Sequence, residues 1–198
     1  MNHYFTDNET LKHDIKTIAY ACDGLVFTFM TDAGVFSRSH VDHATDVLIN
    51  SIPPLTGSLL DMGCGYGVLG IVLAKVNGLA LTLADVNRQA LALAQRNCET
   101  NGVDAQIIHS DCYGNVAGAF DTIVTNPPIR AGKSVTYRMY TGAIDCLNPG
   151  GQLYVVNLKK QGAESTRSKL TEVFGNCETI YKKKGVYVFC CTKPYTSK

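Results

Sequence analysis

The chain has 198 residues, room for one domain of ordinary size or one domain with an extension. Apolar residues make up 45%, charged residues 18%, and the formal net charge is +1, which excludes global disorder and a uniformly basic surface. No apolar run is long enough to span a bilayer, and the N-terminus carries no signal-peptide pattern.

Residues 14–31, DIKTIAYACDGLVFTFMT, alternate loosely around a Cys-Asp-Gly break and predict two strands and a turn. From His40, HVDHATDVLINSI has helical apolar spacing at Val41, Ala44, Val47 and Leu48, stopped by Pro53 and Pro54. A regular alternation begins at Gly57. SLLDM predicts a strand and GVLGIVLAKV a helix; LALTLADV predicts a strand and NRQALALAQRNCETN a helix closed by Gly102. DAQIIHSD and FDTIVTN predict further strands. VTYRMYTGAIDCL predicts a helix ended by Asn148, Pro149, Gly150 and Gly151, followed by the strand QLYVVNL and the helix AESTRSKLTEVF. CETIYKK and GVYVFCCTK close the chain as a strand pair around Gly185. That connection is too short for a crossover, so the pair must be antiparallel.

Strands alternating with helices predict an α/β fold: a Rossmann-like, mostly parallel sheet with an antiparallel last strand and helices on both faces. The expected organisation is one domain over 1–198, with an N-terminal β-hairpin extension over 1–36 and a catalytic core over 37–198. The eight cysteines are scattered and none forms a C-x-x-C pair. Without an export signal they read as reduced, mostly buried thiols of a cytoplasmic protein. His40 and His43 stand i, i+3 on a predicted helix with Asp42 between them, but no second ligand cluster accompanies them, so no metal is expected.

In an open α/β sheet, ligands bind beyond the carboxyl ends of the strands. LLDMGCGYG places a strand end at Asp61, a turn with Gly63, Gly65 and Gly67, and then a helix N-terminus. Glycines let the backbone turn tightly and come close to a ligand, and a helix N-terminus favours accepting or negative groups. GYGVLG, residues 65–70, matches G-x-G-x-x-G, and Asp85 follows Gly65 by 20 residues at the next strand end. That is the dinucleotide fingerprint with its ribose-binding acid, and it supports an NAD(P)-dependent oxidoreductase. The same residues match D-x-G-x-G-x-G, the nucleoside-binding turn of methyltransferases, and Asp85 can accept from ribose hydroxyls in either case.

Two later strand ends separate the readings. Asp111 ends the third strand, where it can accept from an adenine amine. The fourth strand ends in TNPPIR. Prolines have no backbone N–H and fix φ, so Asn126, Pro127 and Pro128 form a stiff turn offering carbonyls and one amide but few donors. Such a turn suits the hydrogens of an amine, although Asn-Pro also initiates ordinary loops.

DMGCGYG, Asp85, Asp111 and NPPI together resemble class I S-adenosylmethionine-dependent methyltransferases, in particular the "methyltransferase small" family with its small-subunit ribosomal RNA guanine-N2 methyltransferases. GVFSRSHVD, NPPIRAGK and VVNLKKQGA resemble the same family, and the likeness covers nearly the whole chain. Some members carry a further N-terminal domain, and this chain resembles their catalytic half. The resemblance implies a seven-stranded sheet with a reversed final hairpin, S-adenosyl-L-methionine as cofactor, and ribosomal RNA or the small ribosomal subunit as partner. It implies a cofactor site of Asp61, Gly63, Cys64, Gly65, Gly67, Asp85, Val86, Asp111, Cys112 and Asn126. It gives the Asn126 side-chain oxygen and the Pro127 carbonyl the amine hydrogens, with Pro128 and Ile129 completing the acceptor turn. Ile129 stands where adenine-amine and glutamine-amide methyltransferases often carry an aromatic, and isoleucine has no π face.

Phe36 and Ser37 read either as a cover over cofactor or base, or as ordinary packing with a helix cap near Ser39. Asp42 reads as cofactor wall or as a first-turn helix acid. Met62 and Val68 read as packing. Candidate RNA contacts are Arg38, Arg130, Lys133, Arg138, Lys159 and Lys160. The run Lys182 to Lys184 is a further candidate RNA contact; its other reading is a solvated hairpin tip away from the site. Competing readings are methyl transfer to another amine (protein glutamine, adenine or a small molecule), the oxidoreductase, and a non-catalytic RNA-binding protein that keeps the fold.

Overall fold

The computed structural model describes residues 14–33 and 37–195. The chain opens with strands β1 (Lys16–Cys22) and β2 (Leu25–Thr31), paired antiparallel from Lys16↔Thr31 to Cys22↔Leu25. Asp23 and Gly24 make the turn with φ of 48° and 72°, the positive pair that matches strand twist in a tight hairpin. Helix α1 (His43–Ser51) follows. Alternation then runs through β3 (Ser58–Met62), α2 (Val68–Asn77), β4 (Ala80–Asp85), α3 (Arg88–Asn101), β5 (Ala105–His109) and β6 (Phe120–Thr125). It finishes with α4 (Lys133–Ala143), β7 (Leu147–Leu158), α5 (Ala163–Phe174), β8 (Glu178–Lys183) and β9 (Val186–Thr192).

Strands β3 to β9 form one seven-stranded sheet in the order β5-β4-β3-β6-β7-β9-β8. The pairs β3/β4, β4/β5, β3/β6 and β6/β7 are parallel; β9 is antiparallel to both neighbours. This is the Rossmann-like, mostly parallel architecture expected from the strand and helix pattern, with the reversed final hairpin. Strand order reverses between β3 and β6, and a crevice opens at such a switch point. One apolar cluster holds β2, α1, α2 and α3 against one face of the sheet; a second holds α4 and α5 against the other. Phe27 and Phe29 of β2 are fully buried in the first cluster, so the hairpin is part of that core.

Asn97 of α3 fixes this arrangement. It is fully buried, bonds both backbone groups of Met30 (2.7 and 3.0 Å), and donates to the carbonyl of Tyr66 in the glycine turn at 2.8 Å.

Three expectations are corrected. Helix α4 ends at Ala143, and Leu147 already pairs with Phe120, so Asn148 to Gly151 form a bulge inside β7. Asn148 locks that bulge by donating to Asp121 at 2.8 Å, and a Cβ on Gly151 would lie 2.8 Å from the Asn148 carbonyl. Sequence pattern makes the Pro-Gly-Gly a helix stop because it has no strand alternation. His40 precedes α1 and shares no helix with His43. The cap of α1 is Asp42, which accepts from Ala44 and Thr45 at 3.0 and 3.3 Å; Ser39 does not cap it. All eight cysteines are free thiols. Among the described residues no helix is long and apolar enough to cross a membrane, and no group of three or more His, Cys, Asp or Glu could hold a metal ion.

Candidate active site

A cavity of about 860 Å³ opens across the carboxyl ends of β3, β4, β5, β6 and β7. Its floor is the glycine turn. The Gly63 and Cys64 amides both donate to the Ala84 carbonyl (2.8 and 3.1 Å), which folds the turn back onto β4. Gly65 donates its amide to Asp85 Oδ2 at 2.8 Å, and Asn87 donates to Oδ1 at 2.8 Å. Both oxygens keep lone pairs for further donors. Burial pushes the Asp85 carboxyl above its usual range, while these amides and the nearby His109 pull it back.

Asp61 holds the turn from beneath. It is 1% exposed, accepts from the Gly70 amide at 2.8 Å, and burial pushes its carboxyl up to about 7. That bond goes to the first turn of α2, so Asp61 sets the helix entry. Gly70 permits this contact: a Cβ there would meet Leu83 at 2.6 Å and Asp61 Cβ at 3.0 Å. Gly67 does not line the cavity. It caps α2 with φ of 94°, and a Cβ would press on Ile71 at 2.8 Å.

Beyond β6, Pro127 is buried, and its carbonyl accepts from the Ile129 amide at 2.9 Å, leaving one lone pair. The Asn126 side chain is oriented from a distance. Its Nδ2 donates to Asp42 Oδ2 at 3.2 Å and to Thr45 Oγ1 at 2.9 Å. A carboxylate only accepts, so the nitrogen end of the amide must face α1. Among the described residues, no protein donor reaches its oxygen. Asp42 thus caps α1, lines the cavity and orients Asn126 at once.

Asp111 and Cys112 follow β5 and line the cavity, as do Val86, Pro128, Ile129 and Ser37. Cys112 and Ser37 take positive φ values of 48° and 56°, unusual for residues with a Cβ. Ser110 braces the first by donating to the Cys112 carbonyl at 2.6 Å, and Tyr66 braces the second by donating to the Ser37 carbonyl at 3.2 Å. Phe36 lies outside the described residues.

The expected RNA contacts divide. Arg130, Arg138 and Lys160 line the cavity; Lys133 and Lys159 are exposed beside it. Arg138 is paired with Asp111 at 2.7 Å, which joins an expected RNA contact to an expected cofactor contact. Arg38 lies off the cavity. Its guanidinium pairs with Asp14 and its carbonyl accepts from Thr31, so it fastens the chain entering α1 to the hairpin. Thr45, Tyr66, Ser110 and Asn157 line the cavity without being expected there; Tyr66, Ser110 and Asn157 stand inside or beside the strand-end motifs, whereas Thr45 reaches it only through the packing of α1. The structure also brings Lys182 to Lys184 to this edge. The Lys159 amide donates to the Gly185 carbonyl at 2.8 Å, so the β8–β9 tip stands on the same rim as the end of β7.

The methyltransferase small domain family matches residues 26–190. The chain belongs to this family. That membership settles the glycine turn in favour of methyl transfer over the dinucleotide reading. Among its relatives is "Uncharacterized protein YbxB" of Bacillus subtilis, 39% identical over 96% of this chain and 98% of that protein. "Ribosomal RNA small subunit methyltransferase C" of Aeromonas hydrophila is 40% identical over 75% of this chain and 46% of that protein. The structure of the Thermus thermophilus 16S rRNA N2 methyltransferase RsmC, in complex with AdoMet and guanosine, superposes with a TM-score of 0.82. It is 27% identical and covers 90% of this chain but 50% of its own. The chain therefore spans about half the length of the named ribosomal RNA methyltransferases it matches.

Proposed function

We propose that this family member is an S-adenosylmethionine-dependent methyltransferase acting on the exocyclic amine (N2) of a guanine in small-subunit ribosomal RNA. The observation that carries the reading is the orientation of Asn126, whose amide nitrogen is committed to Asp42 and Thr45 and whose oxygen is left to accept.

The residues present fit the cofactor. Asp85 offers both carboxylate oxygens beside the Gly65 backbone, which suits the two hydroxyls of a ribose. Val86 and Leu69 offer apolar surface for an adenine, and Asp111 an acceptor for its amine, with its carboxylate shared with Arg138. The cavity volume lies within the span of small-molecule sites, about 300–1,000 Å³. When bound, S-adenosylmethionine supplies a methyl group already activated on a sulfonium.

The chain's task is then to position the acceptor. A guanine amine is a poor nucleophile because its lone pair is delocalised into the ring. Asn126 Oδ1 and the remaining lone pair of the Pro127 carbonyl take its two hydrogens, turning the nitrogen lone pair toward the donor side. Both oxygens also stabilise the positive charge that grows on nitrogen as the new bond forms. Pro128 and Ile129 give apolar contact to the ring. No strong base is needed beforehand; the proton leaves to water after transfer. A base inside a duplex must be flipped to reach this turn, so an unpaired guanine is the simpler substrate.

The test is transfer of labelled methyl to purified small-subunit ribosomal RNA, with nucleoside digestion to identify the product. N2-methylguanosine formed by the wild type and lost in Asn126→Ala supports the reading. Label in protein, or in another nucleoside, overturns it.

A further inference from the structure

The second strongly charged feature of the molecule is the β8–β9 hairpin tip. Lys182, Lys183 and Lys184 are consecutive and exposed there. Strand β9 is antiparallel to β7, and β8 is antiparallel to β9, so β8 ends at the same edge as β7. Register places Val186 opposite both Leu158 and Lys183. Lys159 and Lys160 continue directly from β7 on a short 3-10 turn, and Lys160 lines the cavity. Moving outward from Asn126, the strand ends therefore present Lys159 and Lys160, then the lysines of the tip. With strands about 4.8 Å apart, this rim extends roughly 14 Å from β6 to β8.

The tip is held rigidly. Lys184 and Gly185 take φ of 50° and 78°, a tight hairpin turn in which asparagine or glycine is the easier occupant of the first place. A lysine stands there instead. Lys182 lies over the Tyr187 ring at 4.9 Å, and the Lys159–Gly185 bond ties the tip to β7. Of the acids of this stretch, Glu178 opens β8 at its opposite end and Glu172 pairs with Lys169; Glu164 stands in the first turn of α5, four residues after Lys160, and is the one acid close to the row along the chain.

We infer that this edge is a phosphate track, on which Lys159, Lys160, Lys182, Lys183 and Lys184 hold the RNA strand flanking the target guanine. The inference rests on the proposed RNA substrate. A rigid row of cations leading away from the acceptor turn fits a flexible polyanion entering the site from one side. Base identity is read at the turn; the track fixes register and residence.

The experiment compares the full chain with Lys183→Gln/Lys184→Asn, in which asparagine keeps the positive φ. Arg96→Gln on α3 is the control. A fluorescent single-stranded RNA containing guanines is titrated across a salt series, and S-adenosylmethionine binding is measured by calorimetry. The double variant is expected to bind cofactor as the wild type does and RNA about tenfold more weakly. Its slope of log affinity against log salt is expected to be shallower by about 1.4, at about 0.7 for each phosphate that a lysine no longer neutralises. Unchanged RNA affinity and slope, with cofactor binding intact, overturn the track while leaving the proposed reaction standing. A wild type that binds no RNA, yet methylates an acidic protein, overturns both.

Discussion

The Asn126 amide donates to the Asp42 carboxylate across 84 positions of sequence. This bond makes the cap of one helix the group that directs the Asn126 side chain at the end of β6. It converts an ambiguous amide, with nitrogen and oxygen ends of equal size, into one with a fixed direction. Asn126→Ala removes the aimed oxygen. Methyl transfer is expected to fall about 10²- to 10³-fold, with cofactor affinity within roughly threefold of wild type. Single-turnover rates and calorimetry check this, and equal loss of both would mean that Asn126 acts on the cofactor alone.

One oxygen of Asp42, Oδ2, carries both tasks: the Ala44 and Thr45 amides and Asn126 Nδ2 all donate to it. Asparagine caps helices about as well as aspartate, so Asp42→Asn should leave stability within about 0.5 kcal/mol. The side-chain oxygen that keeps the cap is also the one that accepts from Asn126, so the turnover rate should stay within roughly threefold of wild type. Asp42→Ala loses the cap, at about 1 kcal/mol, which lowers Tm by roughly 2–4 °C, and loses the Asn126 acceptor with it, so the turnover rate should fall roughly tenfold. Thermal melts alongside rates distinguish the two variants; identical melts would show that the cap carries no weight.

The Asp61 carboxyl is raised by burial from 3.8 to about 7. Between those values the folded chain holds a proton that the unfolded chain has released. Its contribution is therefore complete below about pH 4 and is lost as pH rises through about 7. Asp61→Asn keeps an acceptor for the Gly70 amide and removes the titration. Between about pH 5 and about pH 8, the denaturant midpoint should fall more in the wild type than in the variant. A parallel pH response would assign the dependence to other groups.

Gly70→Ala tests the seat of α2. The added methyl would meet Leu83 at 2.6 Å and Asp61 at 3.0 Å. Overpacking of this kind costs about 1–3 kcal/mol, read as a fall in Tm of roughly 2–4 °C per kcal/mol. Cofactor affinity should fall with it, because the same helix start carries the glycine turn. A variant as stable as wild type would show that the sheet yields at this point.

What can be read in sequence is local. Asp61 to Gly70 is one continuous turn, and Asp85 and Asn126 each end a run of apolar residues, so strand, turn and helix announce their positions. The sheet follows from alternation alone. What escapes is set by pairing across distance. Asp42 looks like a first-turn acid because its partner lies on another strand. Arg38 looks like a free cation because Asp14 comes from the hairpin. Lys182 to Lys184 look remote because only the register of β9 against β7 brings the tip to the site's edge. Leu147 looks helical because the bulge that admits it to β7 is locked by Asn148 and Asp121, contacts that periodicity does not contain.

The buried amide of Asn97 has a consequence for how the molecule breathes. It spans Met30 on the hairpin and Tyr66 in the cofactor turn. Lifting the hairpin would strand an oxygen and a hydrogen of that amide away from water, at about 1–3 kcal/mol for each group left unpaired. Opening at the hairpin is thereby coupled to loosening of the glycine turn, and a ligand that stills the turn would also quiet the hairpin. Hydrogen exchange at Met30 would then report occupancy of a cavity it never touches.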